Sequence, residues 1–322
     1  MKQKQTVLEK RYFRGEEVEE ADMFKRVADF LGNNKKERDR FFRIMRDHKF
    51  MPNTPCLVNA GVPESSGQLF ACFVVPVEDS MEGIFDGIKS MALIQKTGGG
   101  TGFNFSKLRP TNSRVKSTNG ISSGPISFMR AYDAATETIK QGGVRRGANM
   151  ACFSIYHPDV IDFIKCKDDL SQFQNFNISV ALDDEFIEAV KEDREWEFSF
   201  EGVKLGIGTN ARRLMDDIVT QAWKNGEPGV IFLDEINRKH SLPDIIETTN
   251  PCGEQPLLPF ESCCLGSINL SEFINKDGNF NFDDFKYVVS ISVICLNRMI
   301  DKNNYPLAQI REISSKHRKV GL

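Results

Sequence analysis

The segment Asn250-Pro251-Cys252-Gly253-Glu254 sets a thiol between an amide and a carboxylate. Two prolines and a glycine in the run that ends at Pro256 forbid a helix, so the spacing predicts a rigid, extended loop. Residues i and i+2 of extended backbone point to the same side, which puts Asn250, Cys252 and Glu254 on one face. That trio suits chemistry on a sugar hydroxyl, with the carboxylate taking a proton and the amide orienting the substrate. Free cysteine ordinarily serves as a small buried hydrophobe. The apolar or helical surroundings of Cys152, Cys166 and Cys295 fit that ordinary role, and Cys56, at the mouth of a turn-rich segment, leans the same way. Cys252, held in a Pro/Gly loop beside Asn and Glu, departs from it.

Positioning these groups falls to a chain of 322 residues, 40% hydrophobic and 27% charged, enough for one large domain or two ordinary ones. The composition is globular and excludes disorder as the main state. Lys plus Arg number 42 against 45 Asp plus Glu, a net charge of -3 that offers no field for a phosphate backbone. DNA and RNA are therefore excluded as polymer ligands. No apolar run approaches the roughly 20 residues that span a bilayer, and the first residues are charged throughout, unlike a signal-peptide core. The reading is a cytoplasmic protein without membrane contact, whose eight cysteines stay reduced unless catalytic. With no Cys-x-x-Cys pair, structural zinc is not expected and no metal ligand set is assigned, while a generic thiol oxidoreductase stands as a weaker alternative reading.

Residues 1–50 are charge-rich with apolar residues at helical intervals (Met23, Val27, Phe30, Phe41, Phe42, Met45) and read as a small cap of amphipathic helices. From Pro52 the character changes to β-prone runs alternating with helical patterns, the rhythm of an α/β architecture. Phe73–Val75, Gly102–Phe105, Phe176–Val180, Trp196–Phe200 and Gly229–Leu233 read as strands. Asp79 or Ser80 caps a helix carrying Ile84, Ile88 and Met91, which Gly98-Gly99-Gly100 stops. Pro125 opens a second helix with Met129, Tyr132 and Ile139, ended by Gly142-Gly143. Others run from about Ala211 to Lys224 and from Phe285 to Ile300. Two Gly/Ser/Thr-rich segments, 110–125 and 141–149, exceed a minimal connector and carry Arg114, Lys116, Arg145 and Arg146, with Arg109 adjacent. Glycine-rich backbone with arginine is a cradle for phosphate, and a solvated surface loop is the plain alternative.

In order along the chain stand PNTPCLVNAG, GQLFACFVVPVEDSM, KTGGGTGFNFSKLRP, QGGVRRGANMA, HPDVIDFI, NPCGEQPLLP and ESCCLGSINL. This ordered set resembles the catalytic subunit of ribonucleotide reductases, most closely the adenosylcobalamin-dependent (class II) branch, from about Pro52 to the C-terminus. The resemblance implies an α/β fold: the first half of a ten-stranded barrel, with the radical loop and the start of the second half, over residues 51–322 behind the helical cap at 1–50. It implies reduction of ribonucleotides to 2'-deoxyribonucleotides. Cys252 would be the thiyl-radical cysteine, Glu254 the acceptor of the 3'-hydroxyl proton and Asn250 a substrate hydrogen-bond partner. Cys72 and Cys263 would form the dithiol that closes to a disulfide. Thr54, Ala71 and Gly99 match substrate-binding positions. Asp79, Ser80, Arg109 and Arg145 match positions that bind a deoxynucleotide effector or couple it to substrate.

The same resemblance implies adenosylcobalamin as cofactor, a ribonucleoside di- or triphosphate substrate, a thioredoxin-like reductant, and a homodimer, a second chain that completes the barrel, or both. Two departures stand out. Cys264 occupies a position where the family usually carries Asn, and Cys56 one where Thr is more familiar. Adjacent strand residues face opposite ways, so only one of Cys263 and Cys264 can face Cys72; the spacing to Cys252 selects Cys263. The chain also ends at Leu322, where the resemblance implies further barrel strands, so the expectation is a split or truncated reductase. Competing readings are a class I large subunit served by a separate radical-generating subunit, and a non-catalytic nucleotide-binding subunit.

Overall fold

A computed structural model describes residues 2–115, 119–139 and 147–322. The chain divides into two compact units, one of residues 1–72, 97–99 and 262–322, the other of residues 73–96 and 100–261.

In the first unit, apolar residues three and four apart give helices Glu20–Leu31 and Lys35–Arg46 one sticky face each. Met23, Phe24, Val27, Ala28 and Leu31 bury from the first; Phe41, Ile44 and Met45 bury from the second. Asp22 starts the first helix by accepting the Glu19 amide at 3.1 Å, and Asn34 caps the second by accepting the Glu37 amide at 3.0 Å. Both pack on the long helix Phe282–Lys302, whose inner face presents Val288, Ile291, Cys295, Leu296 and Met299. Beneath lies a small sheet in which Ser262–Ile268 pairs antiparallel with Phe50–Pro52 and parallel with Val320–Gly321. Removing one buried aromatic here, Phe41→Ala, costs about 3–5 kcal/mol.

The second unit is a parallel sheet. The strand Cys72–Val74, whose Phe73 and Val74 belong to this unit, then Gly100–Asn104, Asn149–Ser154, Phe176–Leu182 and Gly229–Phe232 lie in the order in which they occur in the chain. The last four pair in parallel, so Gly102, Met150 and Asn177 form one row across three strands. An order that never reverses has no switch point; it is the winding of a barrel segment rather than of a doubly wound sheet. Helices Met81–Lys96, Pro125–Thr138, Val160–Lys165 and Ala211–Asn225 supply the crossovers. Phe103, Phe105, Tyr132 and Phe176 pack edge to face or tilted, with centroids 4.9 to 6.1 Å apart, and Tyr132 donates to the Ile84 carbonyl at 2.7 Å.

The α/β reading and its helical prelude are borne out, with local differences. The Pro125 helix ends at Thr138, leaving Ile139 as its C-cap, and Gly142-Gly143 lie outside the described residues. Trp196–Phe200 belongs to a separate hairpin with Val203–Asn210, because its partner strand follows directly in sequence. The segment 110–125 contains a two-residue pair, Arg114–Val115 with Gly120–Ile121. Among the described residues no helix is long and apolar enough to cross a membrane.

Candidate active site

Thr248–Thr249 pairs antiparallel with Pro256–Leu257, and residues 250–255 form the loop between these strands. Asn250 closes that loop from inside. Its backbone carbonyl accepts the Gly253 amide at 3.0 Å, and its Oδ1 accepts the Gln255 amide at 2.9 Å. Its Nδ2 donates to Glu254 Oε2 at 2.8 Å. Gly253 turns the chain with a φ of +84°, a conformation that a side chain would strain. The extended loop predicted from the prolines is therefore extended only at its two stems. Cys252 and Glu254 are exposed at the tip while Asn250 is fully buried. The amide and the carboxylate meet through the turn, not through strand alternation, because short-range hydrogen bonds to Asn250 outweigh the extended preference of a Pro-rich run.

The paired thiols assigned by resemblance, Cys72 and Cys263, both fall in the first unit, at or near the start of their strands, and both are buried. Cys264 faces the long helix: its Sγ lies 3.4 Å from the Leu296 carbonyl and 3.7 Å from Met299 Sδ. The next residue back along the strand, Cys263, thus points to the opposite face. Burial first, then neighbouring Cys56, Cys263 and Cys295, push the Cys264 thiol well up. Burial likewise pushes Cys56, Cys152 and Cys166 up to about 12, so these thiols stay protonated at neutral pH. Thr54 opens a short helix, its Oγ1 3.2 Å from Tyr12 Oη, and Ala71 and Gly99 are buried. Arg26 and Arg14 hold the end of that helix through the carbonyls of Leu57, Ala60 and Val58.

Of the residues assigned to an effector, Ser80 is the cap of Met81–Lys96, its Oγ accepting the Gly83 amide at 3.0 Å. Asp79 is committed elsewhere. Its carboxylate takes Arg109 Nε at 2.7 Å and the Arg109 amide at 3.2 Å. Arg145 lies outside the described residues. Sequence reasoning gave no role to His157 and Asp159, although the HPDVIDFI string contains both. The structure sets them around Arg109: His157 Nε2 is 3.0 Å from the Leu108 carbonyl, and Asp159 Oδ2 accepts the Thr111 amide at 2.8 Å and its hydroxyl at 2.9 Å. The Asp159 amide donates to His157 Nδ1, so the ring is neutral with its proton on Nε2. Burial lowers its pKa, against the opposing pull of the Leu108 contact and the Asp159 charge.

Comparison with known proteins identifies the family. Residues 3–65 match the ribonucleotide reductase all-alpha domain and residues 70–322 the ribonucleotide reductase barrel domain. A vitamin B12-dependent ribonucleoside-diphosphate reductase of Thermoplasma acidophilum is 48% identical over 288 residues, covering 88% of this chain and 37% of its own length. One from Mycobacterium tuberculosis is 42% identical over 295 residues, covering 90% of this chain and 42% of its own. A ribonucleoside-diphosphate reductase large chain of Schizosaccharomyces pombe is 30% identical over 319 residues, covering 87% and 39%. The chain thus spans about two fifths of the length of these curated relatives. On both domain matches, the chain belongs to the ribonucleotide reductase family.

Proposed function

We propose that this chain is the N-terminal part of the catalytic barrel of a class II ribonucleotide reductase, with residues 1–50 as a helical cap and 51–322 as barrel. The observation that carries the reading is the tip of the 248–257 hairpin, where an exposed thiol stands beside a carboxylate that a buried amide holds. Two relatives named vitamin B12-dependent support the cofactor assignment, since both exceed the large-chain relative in identity.

Adenosylcobalamin, when bound, supplies a hydrogen-abstracting radical by homolysis of its cobalt–carbon bond, chemistry no side chain performs. The exposed sulfur of Cys252 suits a group that must take a hydrogen atom from it, whereas every other thiol is buried or half-buried. As a thiyl, Cys252 takes the hydrogen from the 3' carbon of the ribose and becomes S–H again. Glu254 accepts the 3'-hydroxyl proton, and Asn250 fixes the carboxylate. The 2'-hydroxyl leaves as water with a proton from one thiol of the Cys72 and Cys263 pair, the other thiol's hydrogen goes to the 2' carbon as the pair gives two electrons and closes to a disulfide, and Glu254 returns its proton to the 3' oxygen. Cys252 then returns its hydrogen to the 3' carbon, and a thioredoxin-like protein reopens the disulfide.

The substrate is a ribonucleoside di- or triphosphate, contacted by Thr54, Ala71 and Gly99. A deoxynucleotide effector meets Asp79, Ser80 and Arg109, where a capped helix start and a guanidinium both favour phosphate, together with Arg145. The enzyme acts in the cytoplasm as a homodimer, with a further segment or second chain completing the barrel. Deoxynucleotide formation from a ribonucleotide, assayed with a dithiol with and without adenosylcobalamin, tests this for the chain alone and with a polypeptide carrying the remaining barrel. Product that requires the cofactor is expected. No product from the assembled pair would favour the class I reading if a separate radical-generating subunit then restores it, and a non-catalytic subunit if it does not.

A further inference from the structure

Asn177 is the one exposed residue of its strand, Phe176–Leu182, which reads FNISVAL; it pairs with Met150 on one side and lies before the register with Gly229–Phe232 begins at Ser179. Its Nδ2 donates to the Pro251 carbonyl at 2.6 Å, the peptide group that joins directly to Cys252. On the opposite side of the same stretch, the Gly253 amide is held by the Asn250 carbonyl. The backbone on both flanks of the thiol is therefore pinned, once from within the hairpin and once from the sheet.

The first strand of the row makes room for this contact. Gly102, Met150 and Asn177 are register partners, and Gly100 and Gly102 share the Gly102 face of their strand. A Cβ on Gly102 would overlap the Thr249 carbonyl, a backbone atom that cannot swing away, and one on Gly100 would come within 2.8 Å of Pro251 Cγ. Two further bonds follow the same line: Thr248 Oγ1 donates to the Phe103 carbonyl at 3.2 Å, and Asn104 Nδ2 to the Glu247 carbonyl at 3.2 Å. The stem thus lies against bare backbone at Gly100 and Gly102 and is latched at its tip by Asn177.

We infer that Asn177 is a positioning residue for Cys252, acting through the Pro251 carbonyl, with Gly100 and Gly102 forming the notch that lets the hairpin settle within its reach. This rests on the assignment of Cys252 as the hydrogen-abstracting residue. Asn177→Asp keeps the size of the side chain but puts an acceptor against the carbonyl; Asn177→Gln keeps the donor. In the isolated chain, Asn177→Asp should speed iodoacetamide alkylation of Cys252 and hydrogen exchange at the Gly253 and Gln255 amides about tenfold, at unchanged circular dichroism. In the assembled enzyme, turnover should fall about 100-fold with KM within about twofold, the signature of a misplaced reacting group, and Asn177→Gln should recover part of it. Gly102→Ala should loosen the same two amides.

Alkylation and exchange within twofold of wild type in both Asn177→Asp and Gly102→Ala would overturn the inference, because those readouts need no turnover. Cys252→Ser that retains full activity would instead overturn the assignment of Cys252. An inactive Cys252→Ser beside a fully active Asn177→Asp would overturn the positioning role alone.

Discussion

Asn250 donates to Glu254 Oε2 at 2.8 Å while its own Oδ1 receives the Gln255 amide at 2.9 Å. One fully buried side chain therefore both closes the loop and aims the exposed carboxylate at its tip. Glu254→Gln keeps the shape of that bond but removes the base, so turnover should fall about 10²–10⁴-fold with little change in KM. Asn250→Ala should lose turnover by at least as much and also destabilise the chain by roughly 1–3 kcal/mol, since the Gln255 amide is left without its acceptor. Steady-state kinetics and urea unfolding of both variants check this pair.

The two adjacent thiols separate by the side they face. Cys264 packs on Leu296 and Met299 within the first unit, so Cys264→Ala should cost about 1–2 kcal/mol of stability as a small cavity and leave turnover close to wild type. Cys263→Ala, at an equally buried position, should cost a similar amount of stability, yet abolish repeated turnover. Mass mapping of the oxidised chain should find Cys72 linked to Cys263; a Cys72 to Cys264 link would reverse the assignment.

The turn that carries Arg109 depends on a neutral ring at His157. Burial lowers the folded pKa below the unfolded value of about 6.5. A depressed folded pKa means that its contribution to stability is full above the unfolded pKa and is lost as pH falls through the folded one. Unfolding free energy measured from pH 8 down to pH 5 should therefore decline over the acid end of that range. His157→Gln should flatten the decline and weaken deoxynucleotide binding at Arg109.

Much of this was legible before any coordinates. The periodic apolar residues of 20–46 and the Val/Ile/Phe runs of the parallel strands are strong local signals, and burial enforces them. The residues of the 250–254 tip were legible as types but not as geometry. Two prolines argued for extension, and only the hydrogen bonds of Asn250 show that the loop turns. His157 and Asp159 were unreadable for a related reason. Each acts on a backbone group some 48 residues away, and sequence spacing carries no trace of a contact made by folding. Asp79 and Ser80 stood as alternative caps of one helix; the Gly83 amide selects Ser80, and Asp79 pairs with Arg109 instead.

The proposed chemistry turns on Cys252. Deoxynucleotide formation by wild type and by Cys252→Ser should be compared in the same assembled enzyme, with adenosylcobalamin, a ribonucleotide and a dithiol. Product is expected from wild type and none from Cys252→Ser, at equal stability. Product from Cys252→Ser at a rate near that of wild type would contradict the proposed chemistry.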